Sequence, residues 1–352
     1  MTKNKSIFIK NIYYMLSYAF MVLNQGGYDD IAAEEFENIH NLFAAILAKG
    51  IGRQLKHGLY REYLNRKEDT AVVHGKIDIP GTLRNQFARK RVLTCEYDEL
   101  SENNLLNQIL KTTVMLLLRY TDVKQKYKND LKKEMMFFSQ VDVIDPSTIR
   151  WADIRFQRNN NTYRMLTGLC QFVLEGMLLT TDSGEYRLTS FLCDCWMSRL
   201  YEKFILEYYI KEWPQITARA SQIAWAVDDG IGTMLPAMHS DIMLTRGSDV
   251  LIIDAKYYTH TTQTQYGVHT IHSGNLYQIF TYVKNKDVGF GKQPHTVSGM
   301  LLYAATDESI QPDNTYRMSG NQISVKTLDL NCEFSEIAAQ LNRIAEEHFP
   351  SC

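Results

Sequence analysis

Apolar residues recur at helical spacing through most of the first half of the chain. This spacing predicts a helix over residues 11–23, another over 36–55, and a strongly apolar helix over 105–118 with Ser101 as its N-cap. Short segments with strand-like patterning interrupt the helices, and the one over 71–79 ends at Pro80-Gly81. Further helices are expected at 123–138 and 163–179, and strands at 59–64, 71–79 and 92–97. The first half is therefore predicted to be mostly helical with a small β insert.

The pattern changes after the turn-rich segment Thr181-Asp182-Ser183-Gly184, where we place a domain boundary. Beyond it, a helix, a run of mainly antiparallel strands, a helix, another strand and a closing helix predict a compact α/β domain. The helices are expected at 191–213, 275–283 and 333–348, and the strands at 216–226, 234–245, 249–258 and 297–305. The predicted domains are residues 1–182 and 183–352.

Composition narrows the class of protein. The length of 352 residues suits two domains, and 45% hydrophobic with 22% charged residues excludes a mainly disordered chain. No run reaches the roughly 18 apolar residues of a membrane span, and the apolar N-terminal run lacks a signal-peptide cleavage site. The six cysteines are scattered without a Cys-x-x-Cys pair, so neither a zinc site nor a disulfide framework is expected, and a reducing cytoplasm is the expected setting.

Charge is distributed unevenly along the chain. Residues 51–150 carry 18 Lys/Arg and 13 Asp/Glu, a net charge of +5, whereas residues 201–352 carry 11 and 17, a net charge of −6. Acidic residues are interleaved with the basic cluster at 124–133, so a solvated helix face explains that cluster as well as a binding surface does.

Two aspartates are predicted to face each other across a hairpin. A two-residue loop at Gly247-Ser248, with glycine first as in a type II′ turn, pairs Arg246 with Asp249. The same register places Asp241 opposite Asp254. Lys256 lies two residues beyond Asp254, so its side chain is expected on the same face of the strand.

Opposed carboxylates with Cβ atoms about 4.5–5.5 Å apart repel each other, and a divalent cation removes that repulsion. Mg²⁺ usually takes one or two carboxylates from a protein, so Asp241 and Asp254 are candidate metal ligands. Lys256 can orient or deprotonate a water, or stabilise charge developing on a phosphate. The alternative is a solvated hairpin end whose charges pair with one another, which fits poorly with the apolar run before Asp254.

Three further residues are weaker candidates. Glu207 falls inside the apolar stripe of the helix over 191–213, whereas Glu202 falls on its far side; Glu207 is a metal-ligand candidate, although a salt bridge at the stripe's edge explains it equally well. Gln278 and Tyr282 share one face of the next helix, where the glutamine could reach a phosphate or a base edge.

Other motifs are rejected. The segment Gly289–Gln293 lacks the leading glycine and the Ser/Thr of a phosphate loop, so no nucleotide is expected to bind this chain. His260, His269 and His272 are irregularly spaced in a Thr/Gln-rich segment and indicate an ordinary surface loop, with substrate contact left open.

Asp241, then twelve residues, then Asp254-Ala255-Lys256, then Gln278-x-x-x-Tyr282 resembles the PD-(D/E)xK nuclease superfamily. The pattern departs from that superfamily at its first motif, where Ser240 precedes Asp241 and Pro236 lies five residues upstream. Within the superfamily the chain is similar to the McrC family. The segments that carry this similarity are Asn11–Leu16, Asp98–Asn103, Asp254–Tyr258 and Asn275–Gln278.

This resemblance implies a mixed-sheet endonuclease domain at 183–352 that cuts DNA with Mg²⁺ bound by Asp241, Asp254 and the Ala255 carbonyl. Lys256 would assist the attacking water and Gln278 would position the DNA. It also implies a McrB-like AAA+ GTPase hexamer as partner, with GTP bound there, and methylated double-stranded DNA as substrate. Residues 1–182 would dock on the GTPase and stimulate it.

Two other functions stay open from sequence: a regulatory subunit with a silent nuclease fold, and a self-sufficient endonuclease. Mg²⁺ binding without cleavage would favour the first, and cleavage without any NTPase would favour the second.

Overall fold

The computed structural model of the chain describes residues 9–20, 23, 28–156, 160–177, 194–258, 262–265, 268–306, 308 and 310–350. The helices are α1 (Ile9–Ala19), α2 (Asp29–Ala33), α3 (Ile39–Leu55), α4 (Ile79–Phe87), α5 (Leu105–Arg119), α6 (Gln125–Met135), α7 (Asn161–Met177), α8 (Asp194–Glu212), α9 (Ser273–Val288) and α10 (Phe334–His348). The strands are β1 (Glu62–Thr70), β2 (Lys76–Ile77), β3 (Leu93–Ser101), β4 (Thr217–Ile223), β5 (Met238–Arg246), β6 (Asp249–Lys256), β7 (Thr262–Gln265), β8 (Val268–Ile271), β9 (Thr296–Ala304), β10 (Asn314–Met318) and β11 (Asn321–Leu328). The prediction missed β7, β8, β10 and β11.

The chain divides into two compact units, Asn38–Arg187 and Met1–Glu37 with Leu188–Cys352. The predicted boundary at 181–184 lies outside the described residues. The first 37 residues group with the C-terminal part of the chain, which differs from the predicted division at residue 182. Partner binding by residues 1–182 and DNA cleavage by residues 183–352 stay predictions.

The unit Asn38–Arg187 combines helices with a three-stranded antiparallel sheet of order β1-β3-β2. The predicted strand over 71–79 is wrong except at Lys76–Ile77. Instead Pro80 lies in the first turn of α4, where a missing N–H costs nothing, and Asp78 caps that helix by accepting a hydrogen bond from the Gly81 N–H at 2.9 Å. Ser101 is not the cap of α5; Asn104 is, through the Asn107 N–H at 3.2 Å.

The larger unit is built on a six-stranded mixed sheet of order β10-β11-β9-β6-β5-β4. Strands β6, β9 and β11 are parallel, and the outer pairs β4–β5, β5–β6 and β10–β11 are antiparallel. Val250 and Ile252 of β6 belong to a buried cluster with Ile279 and Val283 of α9. Leu251, on the opposite face, is equally buried, so both faces of the central strands are covered. The predicted α/β arrangement with a mixed sheet is confirmed.

Helix α1 belongs to this larger unit because its polar side chains satisfy backbone groups there. Asn11 Nδ2 donates to the carbonyl oxygens of Leu330 at 2.8 Å and Cys332 at 2.7 Å. The Tyr14 ring stacks on Phe334 with centroids 4.6 Å apart. Among the described residues, no helix is both long and apolar enough to cross a membrane.

Candidate catalytic and metal-binding site

The hairpin β5–β6 has the predicted register. Arg246 pairs with Asp249, and the ladder continues to Ile242 opposite Ile253. Of the two loop residues only Gly247 has a positive φ, +61°, as a type II′ turn requires at its first central position. Asp241 and Asp254 are the next pair in this register, immediately beyond the last laddered residues.

The ladder ends at these aspartates because the Asp241 side chain replaces a backbone partner. Its Oδ2 accepts a hydrogen bond from the Ala255 N–H at 3.0 Å. On the other side, Ser240 pairs with Ser221 of β4 and is hydrogen-bonded to it through Oγ. Asp254 is wholly buried and Asp241 is partly exposed, so the pair, at the ends of two inner strands, is reached by solvent from the Asp241 side.

Lys256 forms a nearly buried ion pair with Asp254. Its Nζ lies 2.9 Å from each carboxylate oxygen but donates a hydrogen bond only to Oδ1. The other oxygen, Asp254 Oδ2, is buried without a hydrogen-bond donor among the described residues. The Lys256 ammonium is therefore the ion-pair partner of both carboxylate oxygens, although Oδ2 keeps the capacity to accept a further ligand.

Burial dominates the electrostatics of the pair. It raises the pKa of Asp254, and the negative charge of Asp241 adds to that rise against the ammonium of Lys256. Burial also raises the pKa of Asp241. Burial alone would lower the pKa of Lys256. The pKa is raised instead, because Asp254 attracts the ammonium and accepts its hydrogen bond and because Asp241 adds a second negative charge. The two carboxyls therefore resist full ionisation together, whereas the lysine stays protonated.

The acidic residue of α8 that interacts electrostatically with the two aspartates is Glu202. Burial raises the pKa of Glu202 to about 7, and the charges of Asp241 and Asp254 contribute to the rise. Glu207 lies five residues along the helix, about 140° away around its axis, and so points elsewhere. The single apolar stripe used to choose Glu207 is absent from α8, which is buried on several faces, so Glu207 as a metal ligand stays a prediction. The α8 residues at most 2% exposed are Leu200, Tyr201, Phe204, Ile205, Tyr208 and Tyr209.

Helix α9 brings polar side chains to the same end of the central strands. Gln278 Nε2 donates to the buried Tyr282 hydroxyl at 2.9 Å, which confirms that the two share a face. Asn275, which was not among the predicted site residues, donates from Nδ2 to the Tyr303 hydroxyl at 2.9 Å. The rule that ligands bind outside the carboxyl ends of parallel strands could have pointed to Tyr303, one residue before the end of β9.

The residues present fit a divalent ion that keeps most of its water. Among the described residues, no three His, Cys, Asp or Glu side chains converge closely enough to enclose a metal. Mg²⁺ does not need such an enclosure, because it commonly binds through one or two carboxylates and retains several waters. His260 lies outside the described residues, as does the side chain of His269, and the His272 ring packs edge-on against Tyr258 with centroids 5.5 Å apart.

Residues 3–304 match the family described as McrBC 5-methylcytosine restriction system component. The chain belongs to this family. Its similarity to a McrBC protein extends over nearly the whole chain: it is 25% identical over 344 residues, 97% of each sequence, to the type IV methyl-directed restriction enzyme EcoKMcrBC of Escherichia coli K12. The family resemblance inferred from the motifs is therefore confirmed, and the chain is a component of a McrBC-type restriction system.

Two solved structures of McrBC assemblies from Thermococcus gammatolerans resemble this McrBC-family chain at lower identity. One, a half-complex from a tetradecameric assembly of McrB AAA+ hexamers with bound McrC, is 18% identical with a TM-score of 0.46, and the match covers 94% of this chain and 76% of that one. The other, the McrBC complex, is 23% identical with a TM-score of 0.42 and covers 59% and 60%.

Proposed function

We propose that this chain is the DNA-cleaving subunit of a type IV restriction complex and hydrolyses phosphodiester bonds with Mg²⁺ in the manner of PD-(D/E)xK nucleases. The observation that carries the proposal is the opposed pair Asp241 and Asp254 at the end of a buried hairpin, with the Lys256 ammonium 2.9 Å from Asp254. Family membership supplies the restriction setting.

Asp241, Asp254 and the Ala255 carbonyl are the groups that would hold the ion. The backbone N–H of Ala255 donates to the Asp241 carboxylate. Because the N–H and C=O of one strand residue point to the same side, the Ala255 carbonyl oxygen is also directed toward Asp241. Asp254 Oδ2, which accepts no hydrogen bond among the described residues, has acceptor capacity left for the ion. When bound, Mg²⁺ supplies Lewis-acid stabilisation of the charge that develops on the phosphate and the leaving oxygen.

The protein's own side chains divide the remaining work. Lys256, held protonated by its two acidic neighbours, orients the attacking water and stabilises negative charge on the phosphate. Glu202, with its raised pKa, is able to accept a proton near neutral pH. Gln278, at the carboxyl edge of the sheet, contacts the DNA near the scissile phosphate.

The proposed partner is a McrB-like AAA+ GTPase hexamer, and the proposed substrate is double-stranded DNA containing 5-methylcytosine. The net charge of −6 over residues 201–352 supports dependence on a partner, because phosphate neutralisation supplies most non-specific DNA affinity. The match to a methyl-directed restriction enzyme supports the choice of substrate.

The unit Asn38–Arg187 offers a surface suited to docking on that GTPase. Ile79, Leu83 and Phe87 are spaced four residues apart on α4, so they form one apolar face, and Phe87 is 85% exposed. Contiguous exposed apolar side chains of this size mark interaction sites. Phe87→Ser in the full chain should lower stimulation of the GTPase by at least about tenfold at limiting concentration, because truncating an anchor of this kind costs about 2 kcal/mol or more. Full stimulation would exclude this face.

The decisive test of the nuclease assignment uses the complete complex with GTP, Mg²⁺ and methylated duplex DNA. Asp254→Ala and Asp241→Ala should each abolish cleavage, while GTP hydrolysis by the partner is stimulated as by the wild type. Retained stimulation serves as the control for folding and assembly. Cleavage at near wild-type rate by either variant would show that the site lies elsewhere.

A further inference from the structure

A buried hydroxyl next to the site has no part in the mechanism above. Tyr303 lies on β9 directly opposite Lys256 in the parallel register and is wholly buried. Its hydroxyl receives a hydrogen bond from Asn275 Nδ2 at 2.9 Å. Asn275 Oδ1 in turn faces the Tyr258 hydroxyl at 3.4 Å, a long contact. The hydroxyl therefore connects β9, the start of α9 and the segment that follows β6.

This connection fixes the first turn of α9, and Gln278, the residue proposed to contact DNA, lies in the next turn. Asn275 lies in that first turn, and Gln278 follows it by three residues on the same side of the helix. Holding Asn275 against Tyr303 therefore sets the position of Gln278 relative to the end of β6, where Asp254 and Lys256 lie.

The middle of α9 is held to the sheet by a separate contact. A Cβ added to Gly299 of β9 would lie 2.6 Å from Val283 Cγ2 and 2.9 Å from Ile279 Cγ1, so the helix packs there directly on the strand backbone. Because this packing does not involve the Tyr303 hydroxyl, loss of the hydroxyl should free the first turn without detaching the helix.

The hydroxyl is not suited to proton transfer. Burial raises the pKa of Tyr303 to about 12, and the hydrogen bond from Asn275 and the charge of Lys256 only partly oppose that rise. A phenol that stays protonated throughout the neutral range acts through its hydrogen bond and its place, not as an acid or base.

We propose that Tyr303 and Asn275 form a positioning pair, which holds the first turn of α9 so that Gln278 meets the scissile phosphate in line with Asp254 and Lys256. The role rests on the proposed nuclease function and adds to it two residues that the motif does not include. Positioning of this kind acts on the chemical step, since small misplacements of a reacting group are costly in rate.

The test is steady-state cleavage of methylated duplex by the complete complex. Tyr303→Phe, which removes only the hydroxyl, should lower kcat about tenfold with KM for DNA changed less than about twofold, the pattern of an interaction used mainly in the transition state. Asn275→Ala should reproduce it. Tyr316→Phe, which removes the hydroxyl of a tyrosine on the edge strand β10, is the matched control and should cut as the wild type.

A double-mutant cycle separates positioning from general packing. If Tyr303 acts through Gln278, the combination Tyr303→Phe/Gln278→Ala should cut no more slowly than Gln278→Ala alone. Fully additive losses, or wild-type kcat for Tyr303→Phe, would overturn the proposal. Asp254→Ala separates failure of the positioning role from failure of the nuclease assignment. If Asp254→Ala abolishes cleavage while Tyr303→Phe cuts normally, only the positioning role is wrong. If Asp254→Ala itself cuts normally, the nuclease assignment is wrong.

Discussion

Two aspartates of the unit Asn38–Arg187 and the aspartate pair of the larger unit are held in opposite ways. In the unit Asn38–Arg187, Asp78 caps α4 and accepts a hydrogen bond from Lys67 Nζ at 2.7 Å, and the Lys67 contact is the main reason that its pKa is lowered. Asp69 accepts from Thr94 Oγ1 at 2.6 Å, and its pKa is likewise lowered, chiefly by that bond. In the larger unit, Asp254 is ion-paired with Lys256, yet burial beside the charge of Asp241 raises its pKa.

The difference separates carboxylates that hold a fold together from the pair that we propose as metal ligands. Asp78 and Asp69 are stabilised in their charged form by fixed donors. Asp254 and Asp241 are placed where burial disfavours the charged form. Acidic groups perturbed in this way cluster at functional centres.

The largest effect is expected at the lysine. Lys256→Ala should lower cleavage by the complete complex about 10²- to 10⁴-fold, the range of a lost positioned acid–base or charge-stabilising group. Mg²⁺ binding should be retained, because both carboxylates remain. Lys326→Ala, which breaks a surface ion pair with Asp313 at 2.6 Å, is the control and should cut normally. If Lys256→Ala cuts within threefold of the wild type, the lysine has no part in the chemistry.

A smaller effect, on stability, should distinguish the two glutamates of α8. Because the pKa of Glu202 is raised from 4.5 to about 7, the folded protein retains a proton that the unfolded chain releases as pH rises between these values. The free energy of unfolding of the metal-free protein should therefore fall as pH rises through this window. Glu202→Gln should flatten that slope and Glu207→Gln should leave it unchanged. The measurement is urea unfolding of the metal-free chain at pH 5 and pH 7.5. The same change in the free energy of unfolding between these pH values in wild type and in Glu202→Gln would contradict the raised pKa of Glu202.

The smallest effect is expected at the structural carboxylate. Asp78→Ala should lower the free energy of unfolding at pH 7, because α4 loses its N-cap. Because the pKa of Asp78 is lowered in the fold, its contribution is present above the pKa of the unfolded chain and is lost as pH falls through the folded value. The difference between variant and wild type should thus shrink toward pH 3. Mg²⁺ binding should not change, and a changed metal affinity would erase the distinction between the two kinds of carboxylate.

The hairpin of the site could be predicted because its constraints are local. A two-residue loop with glycine at its first position fixes the pairing of every residue behind it, and period-two alternation then places Asp254 and Lys256 on one face. The family could also be recognised, because its motifs are spread along the chain.

Other features depend on contacts that no local pattern encodes. The choice of Glu202 over Glu207 follows from how α8 lies on the sheet, and a helix buried on several faces shows no single stripe that reveals this. Asn11 of α1 bonds to Leu330 more than 300 residues away. By contrast, the missed hairpin β10–β11 did have a local signal: the turn Ser319-Gly320, with φ of +49° and +93°, is a Ser-Gly dipeptide of the kind that marks hairpin loops.

The most direct test of the central claim is calorimetric titration of the full chain with Mg²⁺ at pH 8, without partner or DNA. The account predicts one class of binding site in the wild type that is lost in Asp254→Ala and in Asp241→Ala and is unchanged in Asp78→Ala. Wild-type Mg²⁺ affinity in Asp254→Ala would show that the opposed aspartates are not the metal site.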